Sequence, residues 1–141
     1  MTTQTLFMEK GIWLTQEQIL QIRQEAIAQD PLEVCGLVAG IANRSYKVYP
    51  ITNELHSRVR FRMQPQEMIN AFLEIEKQGW ELLAIYHSHP QGPPSPSPTD
   101  LMEFAYPGTA YLICSPLAGE WICRAFLIQE GIVSNILLNI E

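Results

Sequence analysis

Two histidines, His87 and His89, stand two residues apart at the end of an apolar run that starts at Leu82. If that run is a strand, residues i and i+2 project to the same side, and both imidazoles reach one point in space. Two imidazoles and a carboxylate form a ligand set that suits a divalent metal with one position kept open for water. Asp100, eleven residues after His89, is the natural third ligand. The intervening loop, PQGPPSPSPT, holds five prolines, so it is stiff and costs less entropy to order. The N,N,O set suits Zn²⁺, and ligand type alone leaves Fe²⁺ and Mn²⁺ open.

Water on such a zinc ion is acidified to a pKa of roughly 7. Amide hydrolysis also takes a base that accepts the water proton and returns it to the leaving amine. Glu33 is the candidate, because it precedes the glycine-punctuated CGLVAG run and is flanked by apolar Leu32 and Val34. Ser97 is the candidate hydrogen-bond donor to the oxyanion. Each residue alone has a plainer meaning. Paired strand histidines are more often simply exposed, and a single glutamate is more often a solvated loop group. Ser97-Pro98-Thr99-Asp100 also spells an ordinary helix start: serine cap, proline first, acid in the first turn. The joint pattern carries the chemistry, not any one member.

The elements that must position these groups are legible to different degrees. Thr15 with Gln18 forms a capping-box signature, and Ile19, Ile22 and Ala26 follow at helical spacing until Asp30-Pro31. Cys35 to Ala42 reads as a buried strand and Tyr46 to Ile51 as the next. Arg58 to Met63 alternates strictly, which predicts a strand with Arg58, Arg60 and Arg62 on one face. A helix is predicted from Pro65 to Gly79, with Met68, Ile69, Phe72 and Leu73 as its buried stripe. Leu82 to His87 is a strand, and a short helix is predicted around Asp100 to Ala105. Three more strands are predicted at Tyr111 to Cys114, Trp121 to Leu127 and Ile132 to Leu138. This order predicts an α/β or α+β domain spanning residues 1–141, with a curved mixed β-sheet flanked by helices.

The residues His87-Ser88-His89-Pro90, the seven residues separating His89 from Ser97, and Ser97-x-x-Asp100 resemble the signature of the JAMM (MPN-plus, JAB domain) zinc metallopeptidases. Pro31 to Leu37 resembles that family's glutamate-bearing strand, and the likeness spans most of Leu14 to Ser115. The resemblance implies a JAB/MPN-like, cytidine-deaminase-like sheet, one zinc ion, and hydrolysis of peptide or isopeptide bonds. It implies His87, His89 and Asp100 as ligands, Glu33 as general acid/base, and Ser97 as oxyanion donor. Ala84 departs from the pattern where a glycine is common, a small change that puts little in doubt. The short chain, without long insertions near the site, resembles the prokaryotic branch. There the implied substrates are small ubiquitin-like or sulfur-carrier proteins, cut at the C-terminal glycine.

Composition narrows the alternatives. The net charge of −6 and the absence of basic runs argue against a nucleic-acid partner. No apolar stretch predicts a membrane span, and no leader-like segment opens the chain, so a cytoplasmic protein is expected. The odd count of three cysteines, Cys35, Cys114 and Cys123, reads as reduced thiols. Oligomeric state is not legible. The rival functions are a metal-stabilised module that binds ubiquitin-like proteins without cleaving them, and a nucleobase deaminase. The second is disfavoured because no Pro-Cys-x-x-Cys ligand pair is present. The arginines at 58, 60 and 62 read first as a solvated edge face, and second as a basic ridge for an acidic protein partner.

Overall fold

A computed structural model of the chain describes residues 2–103 and 106–141. The elements run α1 (Thr3–Lys10), β1 (Ile12–Leu14), α2 (Gln16–Gln29), β2 (Cys35–Ile41), β3 (Arg44–Ile51), α3 (Pro65–Gln78), β4 (Glu81–Ser88), α4 (Pro98–Glu103), β5 (Ala110–Leu117), β6 (Glu120–Gln129), β7 (Ile132–Ile136) and β8 (Leu138–Ile140). Eight strands form one mixed sheet in the order β7-β6-β5-β4-β2-β3-β1-β8. Strands β2, β4 and β5 lie at its centre, with β4 antiparallel to β2 and parallel to β5.

Side-chain alternation divides the core between the two faces of this sheet. Val38, Ala84, Tyr86 and Leu112 face α1 and α2, which contribute Phe7, Ile19, Ile22 and Ala26. Leu37, Ile85, Tyr111 and Ile113 face the other way, against Ala71 and Ile75 of α3. Because both faces are covered, the central strands read as unbroken apolar runs. The capping box of α2 forms as predicted: Thr15 Oγ1 accepts from Gln18 N–H and Gln18 returns an acceptor to Thr15 N–H.

Four expectations are corrected. Residues 58–63 form no strand; only an isolated bridge joins Asn53 to Met63, and the segment is a loop. Its shape is set by the buried Asn53 side chain, which accepts from Leu55 and Arg62 N–H and donates to Arg60 C=O. The three arginines therefore share no sheet face: Arg60 pairs with Glu103 and Arg62 with Glu54. In α3 the buried residues are Ala71 and Ile75, with Met68 and Phe72 packed alongside, whereas Ile69 and Leu73 are exposed. Both sets satisfy helical spacing, and tertiary placement chooses between them. The predicted strand from Ile132 to Leu138 is two strands, β7 and β8, at opposite edges of the sheet.

Leu137 alone separates those edges, so the sheet must curl until they meet. Gly11 seals the closure: at φ +76° it lies against Leu137, where an added Cβ would fall 2.2 Å from the carbonyl oxygen. The fourth correction concerns the thiols. Cys114 and Cys123 face each other across β5 and β6 and are joined as a disulfide, leaving Cys35 as the free, buried cysteine. The short helix starts at Pro98, earlier than predicted; Phe104 and Ala105 of the predicted span lie outside the described residues.

The approach of β2 to β4 is close because Gly36 lies directly across from Tyr86. A Cβ at position 36 would fall 2.2 Å from the tyrosine ring. That ring is locked, since its hydroxyl donates to Glu25 at 2.6 Å. Gly36→Ala is therefore predicted to destabilise the fold by about 1–3 kcal/mol, as an overpacked core does. Chemical denaturation checks this, and a stability within ~0.5 kcal/mol of wild type would contradict the close packing.

Candidate metal centre

The centre lies where β4 runs out between β2 and β5. His87 is fully buried in β4, opposite Cys35 on one side and Ile113 on the other. Val34 N–H donates to Ser88 Oγ at 2.8 Å and Ser88 N–H donates to Val34 C=O at 3.1 Å, which pins β4 to the segment carrying Glu33. His89 N–H donates to Cys114 C=O at 2.8 Å, anchoring the residue after the strand to β5. Glu33 is held by its own backbone: its N–H donates to Ser57 C=O at 2.8 Å, and its C=O accepts from Asn53 Nδ2 at 3.0 Å. Asn53 thus ties the 54–62 loop and Glu33 into one unit.

The imidazoles converge as the two-residue spacing predicts. His87 Nε2 and His89 Nε2 lie 2.9 Å apart, and Asp100 Oδ2 lies 3.2 Å from the first and 3.1 Å from the second. Glu33, His87 and His89 place ligand atoms within 4.8 Å of one another. Glu33 Oε1 is nonetheless buried without a hydrogen-bond partner among the described residues. Asp100 closes the triangle and Glu33 stands back from it. All four sequence candidates for metal and proton chemistry are therefore brought together.

The donor set fits a metal ion. Tetrahedral ligands at about 2.0–2.1 Å lie about 3.3 Å apart, close to the triangle seen here. The His89 ring is oriented by its Nδ1–H, which donates to Pro93 C=O at 2.9 Å. This leaves the Nε2 lone pair facing inward, the tautomer that a metal-ligating histidine adopts when a carbonyl accepts its other ring N–H. His87 is fixed by stacking, with the Phe61 ring 4.6 Å away at 27°. The sequence reading gave Phe61, Ser88 and Asn53 no positioning role, because motif spacing carries no signal for contacts made across the fold.

Ser97 and Asp100 fulfil the capping arrangement and remain available for chemistry. Ser97 N–H donates to Asp100 Oδ2 at 2.8 Å, and Asp100 N–H donates to Ser97 Oγ at 3.0 Å. The Ser97 hydroxyl is used only as an acceptor there, so its proton is left to donate.

Charge follows burial in the metal-free chain. Burial pushes the Glu33 carboxyl from 4.5 up to about 8, with Asp100 and Glu103 adding to the rise and His89 opposing it. Burial also favours a neutral Asp100, but hydrogen bonds from His87 and His89 win and hold its carboxyl well below the usual range. Burial lowers His87, despite Asp100. In His89 burial is outweighed by Asp100 and the Pro93 carbonyl, and its pKa rises.

Two imidazoles and a carboxylate on one point, with a buried second carboxylate set back from them, define the class of centre found in mononuclear metal hydrolases. A profile for prokaryotic homologs of the JAB domain matches residues 15–128, and the chain belongs to that family. A desampylase from Pyrococcus furiosus is 43% identical over 118 residues, covering 83% of this chain and 82% of that protein. A probable TtuB-protein conjugate cleaving protease from Thermus thermophilus is 36% identical over 112 residues, covering 79% and 72%. The solution structure of a Desulfitobacterium hafniense protein superposes with a TM-score of 0.83 at 32% identity, covering 92% of each chain.

The raised Glu33 pKa makes stability depend on pH. Its stabilising contribution is complete below pH 4.5, where both states are protonated, and is lost as pH rises through about 8. In metal-free protein, Glu33→Gln is predicted to match wild type near pH 5 and to be more stable by roughly 1–3 kcal/mol at pH 9. Thermal melts in chelator measure this; equal stability at pH 9 would show that Glu33 is not desolvated.

Proposed function

We propose that this chain is a zinc peptidase that removes adducts from the C-terminal glycine of a small ubiquitin-like or sulfur-carrier protein. Three donor atoms 2.9–3.2 Å apart, with Glu33 held back beside them, are the observation that carries this reading. In the proposal His87, His89 and Asp100 are the metal ligands, Glu33 is the acid/base and Ser97 the oxyanion donor. The names of the relatives, a desampylase and a protease that cleaves protein conjugates, support the substrate class. We further take residues 1–141 as one domain acting in the cytoplasm. Among the described residues no helix is long and apolar enough to cross a membrane.

Zinc bound here would acidify a water to a pKa of about 7 and polarise the scissile carbonyl. Glu33 Oε1, which has no hydrogen-bond partner among the described residues, accepts the proton as water attacks. Burial favours the protonated carboxyl, which suits a group that must hold the proton between the two transfers. Glu33 then delivers the proton to the leaving amine, so one buried group serves as base and acid. Ser97 O–H donates to the oxygen that gains charge, while Asp100 N–H fixes the position of Ser97 Oγ. Asp100 Oδ2 also accepts from Ser97 N–H at 2.8 Å, a bond that favours its charged form.

Metal analysis and cleavage of a linear fusion to a ubiquitin-like protein test this. His89→Ala is predicted to lose stoichiometric zinc. Glu33→Ala is predicted to keep zinc and lose turnover by about 10²–10⁴-fold. Turnover of Glu33→Ala at the wild-type rate would refute the acid/base role. A zinc-replete, inactive wild type would instead favour the binding module.

A further inference from the structure

The metal centre is flanked by cavities of different character. On the Asp100 side a cavity of about 230 Å³ is lined by Phe61, Met63, Met68, Tyr106 and Tyr111. On the Glu33 side a cavity of about 150 Å³ is lined by Glu33, His89, Ser97 and Arg58. The three arginines of this loop do not share one fate. Arg60 is paired with Glu103 and Arg62 with Glu54, but no ion pair or hydrogen bond engages the Arg58 guanidinium among the described residues.

We propose that Arg58 is a specificity-determining residue that binds the free α-carboxylate of the amino acid released, so that the enzyme favours carriers extended by a single residue. The inference rests on the hydrolytic reading above. If Glu33 delivers a proton to the leaving amine, that amine lies in a cavity that Glu33 lines. The 150 Å³ cavity also holds His89 and Ser97, so it is the one open to the reacting carbonyl. A second cavity along Glu33 runs between Glu25, Asn53 and Glu67 and includes neither His89 nor Ser97.

The group beside the leaving amine is then the Cα of the departing residue. When that residue is terminal, its carboxylate sits two bonds from the amine, within the same cavity. Among the described residues, the cavity wall carries no lysine or arginine other than Arg58 that could pair with that carboxylate. Arg58 lines this cavity, and its unpaired guanidinium would supply the matching charge and a planar fork that grips both carboxylate oxygens. A side-chain isopeptide or a longer peptide presents no such anion at that place. Arg58 therefore separates these adduct classes.

The test uses a β-grasp carrier protein ending in Gly-Gly and extended by one alanine, either as free acid or as carboxamide. Zinc-loaded wild type is expected to favour the acid by about tenfold in kcat/KM, chiefly through KM. In Arg58→Ala the ratio of acid to amide collapses toward one, and Arg58→Lys restores part of it. Binding of both fusions to Glu33→Ala protein, with and without Arg58→Ala, reads the same preference as a Kd ratio without turnover. No acid preference in wild type overturns the proposal. So does an equal loss on both substrates in Arg58→Ala, which would place Arg58 against the carrier's own surface. If wild type cleaves neither fusion, the hydrolytic reading fails, and the Kd ratio alone decides whether Arg58 holds the carboxylate.

Discussion

Two imidazole nitrogens facing each other at 2.9 Å, with a carboxylate oxygen at 3.1–3.2 Å from both, form a concentration of lone pairs that needs a positive centre. A divalent cation would satisfy all three donors at once. Much of the local structure can be understood as holding this triangle in place. The His89 ring is set by the Pro93 carbonyl, Asp100 by the Ser97 cap, and His87 by the face of Phe61.

That local geometry is borrowed from the sheet. β4 ends between an antiparallel neighbour carrying Glu33 just ahead of it and a parallel neighbour that accepts the His89 N–H. Glu33 and the two imidazoles thus sit at or just beyond the ends of adjacent central strands, where ladder spacing sets their separation, while Asp100 comes from the first turn of α4. The curl that brings β7 and β8 within one residue of each other fixes the curvature of this sheet. Gly11 at one seam and Gly36 under Tyr86 are two of the places where the backbone approaches too closely for a side chain.

The site was largely legible because its signals are local. His87 and His89 needed only strand alternation to converge, and Ser97 and Asp100 needed only a helix start. Glu33 was suggested by apolar neighbours, and its 5% exposure agrees with the expected desolvation. What failed was governed by contacts distant in sequence. The alternating 58–63 segment looks like a strand, but Asn53 collects its backbone groups into a loop, and two of its arginines find acids outside it. The apparent strand at 132–138 divides because its two halves pair with β6 and β1, which alternation cannot foresee. Cys114 and Cys123 are nine residues apart, and only the β5–β6 register places them opposite each other.

X-ray absorption on zinc-reconstituted protein, wild type and Asp100→Ala, is the most direct test of the centre. The account predicts one zinc per chain, two imidazoles and only N or O donors at about 2.0–2.1 Å, with an oxygen ligand lost or replaced in the variant. Sulfur at about 2.3 Å, or a coordination shell unchanged by Asp100→Ala, would contradict it.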